Sequence, residues 1–246
     1  MKTAFAPAAR ACQQYYRTLW YTFMTDQTDM ATLSRREANR RDRRDAIVAV
    51  ARRSFLENGY AATTMSSIAA ELGGSKGTLW SYFPGKEELF AAVLRDATET
   101  YHASLAQLLD TGGPLEQKLL RFSHDLLRKV TSPDAIALHR LVAAESSRFP
   151  KMGEIFLELA PLYTRNLLAR FLEVAMERGR LRRADALLAA RTLIVLTLSG
   201  SHQQMIWGNG QPPTPEQVDA DVAFAVDCFL RAYAPEAEAP SQGRSH

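Results

Sequence analysis

The segment MSSIAAELGGSKGTLWSYF, residues 65–83, restricts the fold more than any other part of the 246-residue chain. Met65, Ile68, Ala69 and Leu72 recur at helical spacing and define one buried face. Leu79 and Phe83, four apart, define a second. The intervening Gly73–Gly74–Ser75 allows only a tight turn, with Thr64 and Ser75 placed as N-caps of the two helices. Two short helices joined this way must cross, and Ala69, Ala70 and the glycine pair supply small residues for the crossing. On spacing alone the unit is either a generic helical corner or a helix-turn-helix that sets its second helix in a DNA major groove. Trp80 stays open at this level, as core or as surface.

Helical periodicity continues on both sides. Ile47, Val50, Ala51 and Phe55 form an apolar stripe that ends at ENGY, with Gly59 in the C-cap position. After Pro84–Gly85 a long helix runs from Lys86 to about Leu109. The spacing then predicts helices over about 115–131, 133–148, 151–179 (kinked or divided at Pro161), 183–207 and 215–233. Strand-like alternation and internal repeats are missing, so the fold class is all-α. Residues 1–33 lack a clear apolar face and are expected to be a disordered or wrongly assigned extension, Met24 and Met30 being alternative starts to Met1. The tail 235–246 is expected to be disordered.

Charge separates the two halves. Residues 34–95 hold 11 Lys/Arg and 7 Asp/Glu, whereas 96–246 hold 16 basic and 18 acidic residues. A basic bias confined to the first segment predicts an acidic partner for that segment alone, with RREANRRDRR (35–44) as a candidate basic arm. A non-specific DNA-packaging protein would spread its cations over the whole chain. Cys12 and Cys228 lie at opposite ends without metal-type spacing, and His102, His124, His139, His202 and His246 are scattered. No HExxH, GxSxG or paired cysteines occur, so neither catalysis, a metal nor a cofactor is expected. No apolar run reaches membrane-spanning length and no secretory signal core is present, which leads to an expected cytoplasmic location.

From about Arg41 to Tyr101 the sequence resembles the DNA-binding domain of TetR-family transcriptional regulators. AIVAVARRSFLENGYAATTMSSIAAELGGSKGTLWSYFPGKEELFAAVL follows that family's pattern in order. ALHRLVAAESSRFPKMGEIFLELAP and RGRLRRADALLAARTLIVLTLSG resemble the C-terminal domain of its AefR-like subgroup. The resemblance implies a three-helix helix-turn-helix domain over 34–95, with a recognition helix at about 75–83. It implies a larger helical effector-binding and dimerisation domain over 96–234.

It further implies DNA contacts from Thr64, Met65, Ser75, Lys76, Gly77, Thr78, Trp80, Ser81, Tyr82 and Lys86. Trp80 stands where the family usually carries Tyr, which favours a surface position, and Ser81 replaces a more common aromatic. Both departures bear on which operator is read. The partners implied are double-stranded operator DNA, a second copy of the chain docked through about 184–207 and 215–233, and a small-molecule effector. Ser199, Gly200 and Ser201 are expected to permit close approach between subunits. Phe156, Leu159, Tyr163, His202, Met205 and Trp207 are the candidate pocket residues, each equally readable as core. His139, Glu145 and Arg148 are a candidate polar group. The function expected is repression relieved by a lipophilic effector, with the long helix from Lys86 as the lever; activation is the alternative.

Overall fold

The computed structural model describes residues 35–208 and 210–235, so the expectations for 1–33 and 236–246 lie outside the described residues. Eleven α-helices and one π-helical turn form among the described residues, without strands. The chain divides into two compact units, residues 1–46 and 47–246. Of the first, only 35–46 is described: it is helical, with Arg41, Asp42, Arg44 and Asp45 exposed and Arg44 Nη1 3.9 Å from Asp45 Oδ1.

The helices are α1 (Arg35–Ala62), α2 (Met65–Glu71), α3 (Lys76–Tyr82), α4 (Lys86–Asp110), α5 (Leu115–Val130) and α6 (Pro133–Glu145). They continue with α7 (Pro150–Leu157), α8 (Tyr163–Glu177), α9 (Ala186–Leu198), α10 (Ser201–Ile206) and α11 (Pro215–Tyr233). In the larger unit, Ile47, Val48, Ala51 and Phe55 of α1 join Ile68, Leu79, Phe83, Leu89, Phe90, Ala92, Val93 and Leu94 in a first core. Val142 of α6 and Met152 of α7 are part of the same core. A second core gathers Leu105, Phe122, Leu168, Leu172, Leu193, Val226 and Phe229 from α4, α5, α8, α9 and α11.

Local chemistry sets the breaks. Gly59 takes φ 83 as expected of a helix stop, but a further helical stretch to Ala62 follows the kink. The interruption expected at Pro161 takes the form of a π-helical turn, residues Glu158–Leu162, between α7 and α8. Proline lacks the N–H that an α-helical ladder requires, and the wider turn accommodates that loss. The helix expected over 183–207 is broken as well. Gly200 adopts φ −94 and ψ −113, and α10 starts afresh there, packed on α6, α9 and α11.

Gly200 is required by a contact within the chain. A Cβ at this position would stand 2.7–2.9 Å from the Asp221 carboxylate. That carboxylate accepts from Ser201 Oγ (2.7 Å) and Ser201 N (3.2 Å), fastening α10 to α11. Gly200 and Ser201 therefore act in packing within the protomer.

Candidate nucleic-acid interface and helical cavity

The turn between α2 and α3 is built by backbone hydrogen bonds. Gly73 takes φ 63, Gly74 N–H donates to Ala69 O and Gly73 N–H to Ala70 O, which closes α2 in a Schellman-type cap. Thr64 opens α2 as expected: its hydroxyl accepts from Ser67 N at 3.0 Å while Ser67 Oγ accepts from Thr64 N at 3.1 Å. Ser75 opens α3 by accepting from Thr78 N at 3.2 Å. Ala69 is buried at the crossing, but Ala70 faces outward and has no part in it.

Leu79 (2% exposed) and Phe83 (4%) hold α3 to the core. Ser75, Lys76, Gly77, Thr78, Trp80 and Ser81 lie on its outer side. Trp80 is 49% exposed, which excludes the core reading for its indole. Three hydroxyls are ordered along this face: Ser75 Oγ and Thr78 Oγ1 are 2.9 Å apart, and Ser81 Oγ donates to Thr78 O at 2.7 Å. The Ser75–Thr78 contact uses one of that pair's two hydroxyl hydrogens, so one donor remains on this face beside the unused lone pairs. Tyr82 is half-buried against the first core.

Two expected contact residues are also engaged by the protein itself, Met65 on the buried face that its spacing predicts. The Met65 side chain is buried (8% exposed), because it opens the apolar face of α2; only its backbone, in the first turn, is available to a phosphate. Lys86 is half-buried, and its ammonium donates to Tyr60 O at 2.6 Å and Thr63 O at 2.9 Å, 4.2 Å from the Tyr60 ring centroid. Burial lowers its pKa, against the opposing influence of Glu145. Two of its three donors are thus occupied in tying the start of α4 to the end of α1, and one remains.

The residues His139, Glu145 and Arg148 do not form one group. Glu145, at the end of α6, accepts from Tyr60 N (2.9 Å) and Ala61 N (2.7 Å) immediately after the Gly59 kink. Arg148 instead lies over the Phe149 ring at 5.4 Å.

A cavity of about 320 Å³ lies between the first core and the helical half. Its walls come from α1 (Arg52, Phe55, Leu56), α4, α5, α6, α7 (Phe156), α8, α9 and the π-helical turn. Most of the lining is apolar. His102 and His139 line it as neutral imidazoles: burial depresses each to about 4, reinforced by Lys129 and His202 respectively. The Tyr101 hydroxyl is buried with no hydrogen bond of good geometry, although Thr164 is close enough to oppose the upward shift that burial gives the phenol. Near the α1 side, Arg52 pairs with Asp134, and Lys129 Nζ donates to Ala97 O at 2.6 Å.

Of the six candidate pocket residues, Phe156 lines the cavity. Tyr163 stacks behind its wall on His102, with ring centroids 4.1 Å apart. His202 sits behind His139, nitrogen to nitrogen at 3.5 Å. Leu159 packs on the first core, Met205 is buried and Trp207 is 72% exposed. The break at Gly200 explains the last two, since α10 no longer continues the α9 axis past the cavity. Apolar side chains also remain exposed on α9 (Leu187 48%, Leu188 49%, Val195 59%) and α11 (Phe224 62%). No helix among the described residues is long and apolar enough to cross a membrane.

Two family models match. Residues 47–93 match bacterial regulatory proteins of the tetR family, and residues 117–235 match the C-terminal domain of AefR-like transcriptional repressors. The HTH-type transcriptional repressor KstR2 of Mycolicibacterium smegmatis is 37% identical over 76 residues, 30% of this chain and 37% of that repressor's length. Among solved structures, the Flavonoid-responsive Regulator FrrA is 32% identical with a TM-score of 0.68, covering 79% of this chain and 98% of FrrA. A TetR-family regulator from Mesorhizobium loti is 25% identical with a TM-score of 0.69, covering 78% of this chain and 96% of that one. That family comprises DNA-binding regulators and not enzymes. With its helix-turn-helix, its all-helical second half and these matches, the chain belongs to the TetR family of transcriptional regulators, with an AefR-like C-terminal domain.

Proposed function

We propose that this regulator is a repressor that binds a palindromic operator as a homodimer and releases it when a small lipophilic effector enters the cavity. The observation that carries the reading is the relation of cavity to reading head. Arg52, Phe55 and Leu56 line the cavity from α1, while Phe55 belongs to the same core as Leu79 and Phe83, which anchor α3. An occupant that favours a different setting of these residues changes the presentation of α3, and it acts through its differential affinity for the two arrangements. The name of FrrA marks that relative as flavonoid-responsive, which supports a small hydrophobic effector for this chain.

On DNA, the exposed Ser75, Lys76, Thr78, Trp80 and Ser81 meet the groove. Thr64, the Met65 and Gly77 backbone, Tyr82 and the remaining donor of Lys86 meet the sugar–phosphate chain. A seven-residue recognition helix binds weakly alone, and a two-fold dimer places two of them about 34 Å, or a multiple, apart. Exposed Leu187, Leu188, Val195 and Phe224 give α9 and α11 an apolar face suited to such a dimer.

Footprinting on the intergenic DNA beside the gene, with and without lipophilic ligands, tests the reading. A protected palindrome that is lost on adding ligand supports it. Unprotected DNA, or protection indifferent to every ligand that binds the protein, rejects it. A Trp80→Ala, Lys76→Ala variant should fold normally and lose protection at the same salt.

A further inference from the structure

The geometry points to an amphiphilic monoanion as the occupant of the cavity: an apolar body carrying one carboxylate or phenolate, the ionised group held between Arg52 and Lys129. For its effect on DNA the inference rests on the effector-controlled reading above; for binding it stands on the cavity.

Three charged side chains line the cavity: Arg52, Lys129 and Asp134. Arg52 pairs with Asp134. Lys129 donates to the Ala97 carbonyl at 2.6 Å, and no carboxylate among the described residues is within ion-pair distance of it. Two cations therefore share one carboxylate at a partly desolvated site. The three groups also interact electrostatically: burial first, then the Arg52 charge, lowers the Lys129 pKa, and Asp134 opposes both. A half-buried ammonium beside a second cation is the arrangement that an added anion completes.

The rest of the lining excludes the alternatives. Its remaining polar groups are neutral: the His102 and His139 imidazoles, the Tyr101 phenol and the hydroxyls of Thr98, Ser132 and Thr164. A cationic ligand would find only Asp134, already paired, and would face Lys129. A neutral ligand would leave the excess charge unanswered. A dianion would exceed the net single positive charge of the cluster. Filled at a packing density of about 0.75, a cavity of 320 Å³ takes roughly 240 Å³ of ligand, enough for a medium-chain acid or a small polyphenol. The anion would compete with Asp134 for Arg52 and so loosen a bridge between α1 and α6.

Calorimetry on the full chain at neutral pH tests this with decanoate, decanol and the phenol naringenin. Decanoate should bind one site per chain about tenfold or more tighter than decanol. Lys129→Met should abolish that difference. Asp134→Asn, at an exposed side chain, should tighten decanoate and leave decanol unchanged, because the competing carboxylate is gone. Naringenin binding with a red-shifted phenolate band in the wild type, absent in Lys129→Met, would identify phenolate as the source of the charge. The inference is overturned if both acids fail to bind, if decanol binds as tightly as decanoate, or if Asp134→Asn weakens decanoate. Lys129-dependent binding that leaves operator DNA bound would reject the effector reading and keep the site. Operator release by neutral ligands alone would do the reverse.

Discussion

Glu145 carries a prediction that follows directly from geometry. Its carboxylate accepts two consecutive backbone N–H groups, Tyr60 at 2.9 Å and Ala61 at 2.7 Å. These follow Gly59, whose φ of 83 an L side chain rarely adopts and whose missing Cβ would lie 2.8 Å from Glu145 Oε1. Glu145→Ala removes both acceptors. Hydrogen bonds to charged groups contribute about 1.5–3 kcal/mol each, and water replaces the exposed Ala61 bond, so the loss should be about 2–3 kcal/mol. Gly59→Ala in the wild type incurs about 1–2 kcal/mol for the backbone and more for displacing the carboxylate. In the Glu145→Ala background the second part is already absent.

The double-mutant cycle should therefore show a coupling of at least about 1 kcal/mol, with Gly59→Ala less harmful once Glu145 is gone. Urea denaturation of the four proteins measures it, and Glu145→Ala alone should lower Tm by roughly 5–10 °C. Additivity of the two substitutions within about 0.5 kcal/mol would refute the clamp and the steric argument together.

The two cavity imidazoles set a pH dependence. His102 and His139 are depressed from 6.5 to about 4, so the unfolded chain takes up protons first as pH falls through 6.5. Each histidine then withdraws up to roughly 3 kcal/mol of stability by pH 4, and His139→Phe should flatten the fall in Tm over that window. Val195→Asp with Phe224→Asp, both on exposed apolar positions, should convert a dimer to a folded monomer by light scattering. Gly200→Ala should cost about 2 kcal/mol in denaturant, since its Cβ would displace the Asp221 carboxylate that fastens α10.

Much of the reading head was legible because it is local. Thr64 and Ser75 cap helices that begin one residue later, and the Leu79–Phe83 spacing alone identifies the anchored side of α3. The Thr214–Gln217 capping box marks the start of α11 just as directly. The cavity was not legible in this way. Its lining runs from Arg52 to Leu198 across seven helices and the π-helical turn, and periodicity shows which residues turn inward without showing which inward faces enclose a void. The candidate set drew on two local stretches, and only Phe156 lies on the wall. Glu145 stood out only as part of a group with His139 and Arg148: a carboxylate at a helix end reads as solvated until Tyr60 and Ala61 are brought beside it. At Lys86 the place at a helix start suggested a phosphate, but gave no sign of the two carbonyls it also holds, which lie more than twenty residues away.

The clamp also changes which element can carry a signal. The long helix α4 connects the two cores covalently, which is why it stood out in the sequence as the lever. Yet α6 is fastened to α1 at both ends, by Asp134 to Arg52 and by Glu145 to the Tyr60 and Ala61 amides. Between those ends it presents Ala135, Leu138 and His139 to the cavity. A ligand that displaces α6 must strain one of these ties and shift Val142 in the first core, whereas a ligand pressing on α4 must move Leu89, Phe90, Ala92, Val93 and Leu94 of that core. Hydrogen-bonded ends yield more readily than a close-packed core. On that comparison, under the effector-controlled reading proposed above, α6 would be the softer link from cavity to reading head and α4 the stiffer one.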